Sequence, residues 1–384
     1  MFIFSLRTTR LFIVFSVAIL LLVPRDPVVA QSVPRPSRIL IVIEENHSFA
    51  EVMGSGSAPY INSLAQRGAV FTNSFGVARP SQPNYLALFS GSTQGVTDNG
   101  CTYTFTTPNL ASLLLAGGLT FGGYSEDLPA VGSTICTSQK YFRKHNPWVD
   151  WQSDIVSSPN SLSPSLNMPF TSFPTDFSLL PTVAIVVPNQ DNDMHDGTIQ
   201  QADNWLLNHI DPFVQWADAN NALLILTWDE DDGTAGNQIP TIFVGPMVKA
   251  RSYSETINHY NVLRTVEDMY GLAHIGNTAA AAPILDCWTT SAPVAPSNLQ
   301  GVAVSSTQIN LTWADNSSDE TQFEISRSTN GRSFSVVGTV GANVTTFAST
   351  GLTRSTKYHF RVRASNAGGF SAYSNVTMIR TPPK

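Results

Sequence analysis

The eleven residues Leu223-Leu-Ile-Leu-Thr-Trp-Asp-Glu-Asp-Asp-Gly233 decide how the chain is read. From Leu223 to Trp228 every residue but Thr227 is apolar, which is how a strand buried on both faces of a parallel sheet reads. The run ends abruptly in four carboxylates, Asp229 to Asp232, and a glycine. In open α/β sheets the ligand crevice lies just beyond the carboxyl ends of the strands. Four acidic side chains gathered there repel one another unless a cation or a turn resolves the charge. Taken alone, the stretch is either a solvated acidic turn or a cation site.

Working outward, the same pattern recurs. Residues 39–43 form a first apolar strand ending in Glu44-Glu-Asn-His-Ser48, and residues 183–187 form another ending in Pro188-Asn-Gln-Asp-Asn-Asp-Met-His-Asp-Gly197. Further strands are predicted at 69–75, 119–124 and 241–244. Helices are predicted at 60–66, from about Pro83 to Ser90 before Gly91, at 109–116, as one long element over 198–217, and at 259–270. Residues 153–181 are rich in Ser and Pro and read as a long surface loop. Strands alternating with helices specify an α/β domain with a mostly parallel sheet flanked by helices. After a Thr/Ser/Ala/Pro linker at 290–296 come short alternating strands at 309–313, 322–328 and 357–363, the spacing of a small all-β sandwich.

With 384 residues, 42% hydrophobic and 13% charged, the chain is long enough for a large core and more than one domain. A net charge of -7 without a long basic run argues against coating nucleic acid. Residues 1–30 read as a secretory signal. Arg7 and Arg10 precede an apolar run from Leu11 to Val23, too short to span a bilayer, and Pro27-Val-Val-Ala30 closes it with small residues. The expectation is a secreted protein, extracellular or periplasmic, with no stable membrane anchor. Of three cysteines, Cys101 and Cys136 flank one loop-rich insertion and are expected to pair, while Cys287 is expected to be buried. Asn310, Asn316, Asn343 and Asn375 lie in N-x-S/T sequons, which matter only in a host that glycosylates.

Parallel strands present their carboxyl ends to one edge, so the clusters at 44–48, 191–196 and 229–232 should face one crevice. Ser81, between Pro80 and Pro83 at a helix start, is a fourth polar site. Carboxylates with an asparagine suit one hard divalent cation bound through oxygen. A serine at a helix N-terminus beside a cation is a plausible nucleophile. The reaction class that fits is metal-assisted phosphoryl transfer to serine, followed by hydrolysis. A Ser-His-Asp hydrolase fits less well, since Ser81 sits in Arg-Pro-Ser-Gln-Pro rather than a G-x-S-x-G elbow, and the acidic clusters would go unexplained.

Five segments carry a resemblance: Ile43-Glu-Glu-Asn-His-Ser-Phe49, Pro80-Ser-Gln-Pro-Asn-Tyr-Leu-Ala-Leu-Phe-Ser-Gly91, the stretch 188–197, Thr227-Trp-Asp-Glu230 and Ile257-Asn-His-Tyr260. In this order they resemble the phosphoesterase family of acid phosphatases and bacterial phospholipases C, within the alkaline phosphatase-like superfamily. The resemblance covers about 38–288. It implies Ser81 as nucleophile, Glu45, Asn46, Asp229 and Glu230 around the metal, and His195, Asp196 and His259 contacting the phosphate or protonating the leaving group. The Pro-Asn-Tyr motif with Asn84, and Tyr141-Phe-Arg-Lys-His-Asn-Pro-Trp148 with Lys144 and His145, resemble the acid phosphatase branch, which implies contacts to substrate. Trp313, Leu352, Tyr358 and the stretch 366–371 resemble a fibronectin type III domain over 297–382.

The expectation is a catalytic domain at 31–289 that hydrolyses small phosphate monoesters, with a C-terminal module that takes a carbohydrate or surface ligand. A phospholipase C-like phosphodiesterase is the alternative within the enzyme class. An inactive surface-binding or adhesion protein is the alternative outside it.

Overall fold

The computed structural model describes residues 33–289, 293–366 and 369–383. The predicted signal segment lies outside the described residues. In chain order the first domain contains β1 (Arg38–Glu44), α1 (Phe49–Val52), α2 (Pro59–Arg67), β2 (Ala69–Phe75), α3 (Ser81–Ser90), α4 (Leu110–Ala116) and β3 (Phe121–Ser125). The ribbon of β4 (Thr137–Ser138) and β5 (Tyr141–Phe142) follows, then β6 (Asn167–Pro169), β7 (Val183–Val187), α5 (Ile199–His209), α6 (Asp211–Asn220) and β8 (Ala222–Trp228). The domain closes with β9 (Gln238–Ile239), β10 (Thr241–Val244), β11 (Arg251–Asn258) and α7 (His259–Tyr270).

The central sheet runs β11-β2-β10-β8-β1-β7-β3-β6, with β9 beside β2. Strand β1 lies between β8 and β7 and is parallel to both. Alternate residues explain the continuous apolar runs. Ile39, Ile41, Ile43, Leu223 and Ile225 enter one buried cluster, while Leu40, Val42, Leu224 and Leu226 enter the other. Both faces of the sheet are covered, so both sides of β8 are apolar except at Thr227, whose hydroxyl is paired with that of Thr241 at 2.9 Å. Truncating Leu226, fully buried, to alanine should cost about 2–5 kcal/mol.

The register places the site. Ile43 pairs with Thr227 and Glu44 with Trp228, so the two strands end level. Asp229 N then donates to Glu44 O at 3.0 Å, and Glu45 N donates to Asp193 O at 2.7 Å. Segments distant in sequence are thereby laid side by side at one edge.

The structure differs from the local sequence reading at four points. The helix expected over 198–217 is two, α5 and α6, because Pro212 stands in the first turn of α6 and cannot continue a helix. Strand β10 is antiparallel to β8, since the 229–240 connection carries no helix to cross back over the sheet. The loop at 153–181 contributes the short strand β6, parallel to β3. Strand β11, whose polar alternation hid it, pairs with β2 at the sheet edge.

Cys101 and Cys136 are joined in a disulfide, and Cys287 is fully buried, which pushes its thiol pKa up. Among the described residues no helix is long and apolar enough to cross a membrane.

The C-terminal sandwich comprises β12 (Ser297–Ser305), β13 (Gln308–Ala314), β14 (Gln322–Ser328), β15 (Ser335–Gly341), β16 (Thr346–Ser349), β17 (Lys357–Asn366), β18 (Gly369–Phe370) and β19 (Thr377–Arg380). One sheet is β12-β13-β16; the other is β15-β14-β17-β18, with β19 also on β17. Ile309, Leu311, Trp313, Phe323, Phe360 and Val362 fill the space between them.

Candidate active site

Ser81 is the first residue of α3 and is buried. The loop before it is pinned from within the helix. Asn84 Oδ1 accepts from Val77 N at 2.8 Å and Ala78 N at 3.0 Å, while its Nδ2 donates to Ala78 O at 2.9 Å. Asn84 thus spends its amide on the chain that delivers Ser81. The Ser81 hydroxyl lies within donating distance of Glu230 Oε1 at 3.1 Å and Glu45 Oε2 at 3.3 Å.

Glu45 is the hub. Its Oε1 accepts from the Tyr85 hydroxyl and lies 3.0 Å from His145 Nε2, in an orientation that makes no hydrogen bond. Tyr85 stands four residues after Ser81, on the same face of α3. Its ring stacks on His145 with centroids 5.0 Å apart. The other nitrogen of His145, Nδ1, is 3.9 Å from Asp193 Oδ2. Ligand atoms of Glu45, His145 and Asp193 all lie within 4.8 Å of one another.

The acidic pair closes the group. Asp229 Oδ1 accepts from Asn46 N at 3.2 Å, and Asn46 takes up a left-handed backbone, φ 49°, to make that approach. Asp229 and Glu230 are both buried. The next acid, Asp231, is also buried but accepts from Gly233 N, Ala235 N and Asn237 N and pairs with Arg79. Asp232 is exposed and bonds Thr234. The four-carboxylate stretch therefore divides into two that face Ser81, Glu45 and Asn46 and two that build the loop leaving the site.

Burial raises the carboxyl pKa values of Glu45, Asp193, Asp229 and Glu230 above the usual range, and like charges add to this at the first three. Burial also lowers His145, and takes His259 down to about 4. His259 Nε2 bonds Asp229 O at 2.8 Å, so it braces the end of β8 as a neutral ring. His195 is half-buried. Its Nδ1 is 2.9 Å from Asp196 Oδ1, and its ring is 6.1 Å from that of His145. Asp196 is exposed and also pairs with Lys140 at 3.0 Å. Lys144 is half-buried and its charge acts on Glu45, Asp193 and Glu230.

Whether these residues suit a cation can be tested on their unmet bonds. Asn46 Oδ1, Asp193 Oδ2, Asp229 Oδ2 and Glu230 Oε2 are buried without a hydrogen-bond partner, although Arg79 reaches to 3.5 Å of the last. Buried acceptors are normally paired, and a concentration of four oxygen acceptors among like charges fits a hard divalent ion. Asp193 and Tyr85 were not singled out by sequence. Asp193 lay inside the quoted 188–197 stretch, and Tyr85 was legible from its i+4 spacing to Ser81.

A serine hydroxyl at a helix start, set among buried carboxylates at the carboxyl edge of a mostly parallel sheet, is an arrangement that suits a hydrolase, and the comparisons with known proteins make it one that acts on phosphate ester bonds. Residues 55–273 match the sequence profile of the phosphoesterase family, and the chain belongs to that family. It is 49% identical over 269 residues to the phosphatidylinositol-3-phosphatase of Mycobacterium tuberculosis, covering 69% of this chain and 87% of that protein. It is 32% identical over 240 residues to an acid phosphatase of Aspergillus fumigatus, covering 58% of this chain and 53% of the relative. A probable acid phosphatase of Kluyveromyces lactis is 28% identical over 264 residues, covering 65% and 62%. The chain thus spans between 53% and 62% of the length of these fungal relatives. Residues 294–380 match the fibronectin type III domain.

Proposed function

We propose that the chain is an exported, metal-dependent phosphomonoesterase that works through a phosphoserine at Ser81. The observation that carries this is the Ser81 hydroxyl, within hydrogen-bond reach of Glu45 and Glu230 at the start of α3. Glu45, Asn46, Asp229 and Glu230 would hold a divalent ion, with His145 and Asp193 supplying further donors beside Glu45. When bound, the ion would supply Lewis-acid polarisation of the phosphate and favour the deprotonated serine.

The chain's own residues account for the rest. The Ser81 proton passes to a carboxylate, of which Glu230 Oε1 is the nearer. Ser81 Oγ then forms a bond to phosphorus, the ester P–O bond breaks, and the departing oxygen takes a proton. His195, oriented by Asp196 and open to the rim, is the residue to give it. Lys144 and Arg79 supply positive charge near the carboxylates. Water next attacks phosphorus and gives a proton to the now neutral His195, the P–Oγ bond breaks, and Ser81 recovers its proton from Glu230, which returns both residues to their starting states. Tyr85 holds Glu45 and stacks on His145, keeping both in place.

The relatives named for phosphatase activity support monoesters as substrates. The segment at 1–30, an apolar run preceded by arginines and closed by small residues, and the disulfide support export. The test is hydrolysis of an aryl phosphate monoester against an aryl phosphodiester and phosphatidylcholine, with and without chelator. It is combined with acid quenching and mass spectrometry of the Ser81 peptide. A phosphorylated Ser81 peptide and chelator-sensitive monoester turnover are expected. Turnover that survives Ser81→Ala, or that prolonged chelation leaves untouched, would overturn the mechanism.

A further inference from the structure

The C-terminal sandwich carries its charge in a way the catalytic domain does not. Residues 294–380 contain seven Lys/Arg and four Asp/Glu, although the whole chain has a net charge of -7. Three of the four acids, Asp315, Asp319 and Glu320, sit in the connection between β13 and β14. There they bond Ser317, Asn366 and Asn343 rather than cations. The cations gather elsewhere. On β17, Tyr358, Phe360 and Val362 point into the core, so Lys357, His359, Arg361 and Arg363 share the outward face. Met378 and Arg380 of β19 pair with His359 and Lys357 and extend that face.

The arginines on it are ordered. Arg361 lies between two rings, 4.3 Å from the centroid of Phe334 and 3.5 Å from that of Tyr373. Arg363 lies 3.7 Å from Phe370 and 4.9 Å from Tyr373, giving the alternation Phe334, Arg361, Tyr373, Arg363, Phe370. Such stacking fixes the guanidinium planes and leaves their donor edges directed away from the rings. Arg363 meets Glu324 at 2.8 Å, the one ion pair in this module among the described residues. Arg361 has no such partner, and its Nε is buried without an acceptor. Phe370 and Met378, at 48% and 51% exposure, lie at the margins.

We propose that the outward face of β14, β17 and β19 binds an acidic polysaccharide, with carboxylate or sulfate groups meeting Arg361, Arg363, Lys357 and Arg380. A row of cations along one extended strand, with Arg361 and Arg363 roughly 6.7 Å apart, matches a linear polyanion. Tyr373 is flanked by two guanidinium groups, so its ring is not a free platform for nucleobases. The arrangement favours a hydrophilic chain held through its charges over a bilayer entered by apolar side chains.

The full-length protein is tested for retention on immobilised polygalacturonate, with uncharged dextran and phosphatidylglycerol vesicles as the competing surfaces. Salt-sensitive retention on polygalacturonate is expected. The R361Q/R363Q and K357Q/R380Q variants should each weaken it by about tenfold or more, while hydrolysis of a soluble aryl phosphate is unchanged. Thermal unfolding checks the sandwich. If R361Q/R363Q disturbs the stacked rings, K357Q/R380Q, which removes exposed charge and one exposed hydrogen bond from Arg380 Nε to Ser355 O, decides. No retention, equal retention on dextran, preference for vesicles, or unaltered binding by folded K357Q/R380Q would overturn the proposal.

Discussion

Asp229 and Asp231 are two residues apart, equally buried, and differ in what surrounds them. Asp231 is surrounded by donors: three backbone N–H groups of its own loop and the Arg79 guanidinium. Asp229 accepts from Asn46 N on one oxygen, has no partner on the other, and faces the charges of Glu45 and Glu230. A buried carboxylate that is fully bonded holds structure together, whereas one left unmet among like charges works against folding. Under the proposed function the difference separates Asp229, kept for chemistry, from Asp231, kept for the loop.

The largest effect that would break this comparison is on turnover. Ser81→Ala and Asp229→Ala should each lower kcat for an aryl phosphate by at least about a thousandfold, with the circular dichroism spectrum unchanged. The second effect separates the two aspartates by stability. Asp231→Ala should destabilise the protein by about 2–4 kcal/mol, because it strands buried donors, as urea unfolding would record. Asp229→Asn should instead raise the unfolding midpoint of chelated protein, since it removes charge from a crowded buried site. A fall in that midpoint would show that Asp229, too, is structural.

A third buried acid, remote from the site, sharpens the argument through pH. Glu267 on α7 accepts from Ile275 N at 3.3 Å, and burial pushes its pKa from 4.5 up to about 7. The folded chain therefore holds this proton where the unfolded chain has released it. Its contribution to stability is complete below about pH 4.5 and is lost as pH rises through about 7. Glu267→Gln should melt higher than the parent at pH 8 and about level with it at pH 5; equal shifts at both would exclude titration as the cause. The smallest effect is expected at Asp232, exposed and bonded to Thr234, where alanine should change stability by no more than about 0.5 kcal/mol.

Much of the architecture was legible because the relevant signals are local. Continuous apolar runs at β1, β7 and β8 follow from burial on both faces, and β2, β7, β10 and α7 have the bounds that the pattern predicts. The misread elements were those whose local pattern is ambiguous. Strand β11 alternates polar residues at an edge, and Pro212 divides a helix that amphipathic spacing alone would carry through. The sandwich was visible in its alternating strands, yet the outward cation row depends on which side of β17 faces the core.

The sequence by itself determined the materials of the site: a serine at a helix start and acids at the ends of three parallel strands. It could do so because residue type and strand polarity are written locally. Which acids meet which partners was decided only by tertiary structure. The level ends of β1 and β8 set Asn46 against Asp229. The 188–197 segment brings Asp193 toward His145, and Tyr85 reaches Glu45 across 40 residues of sequence. Those contacts depend on register and on the path of loops between elements, and neither is encoded in the neighbourhood of any one residue.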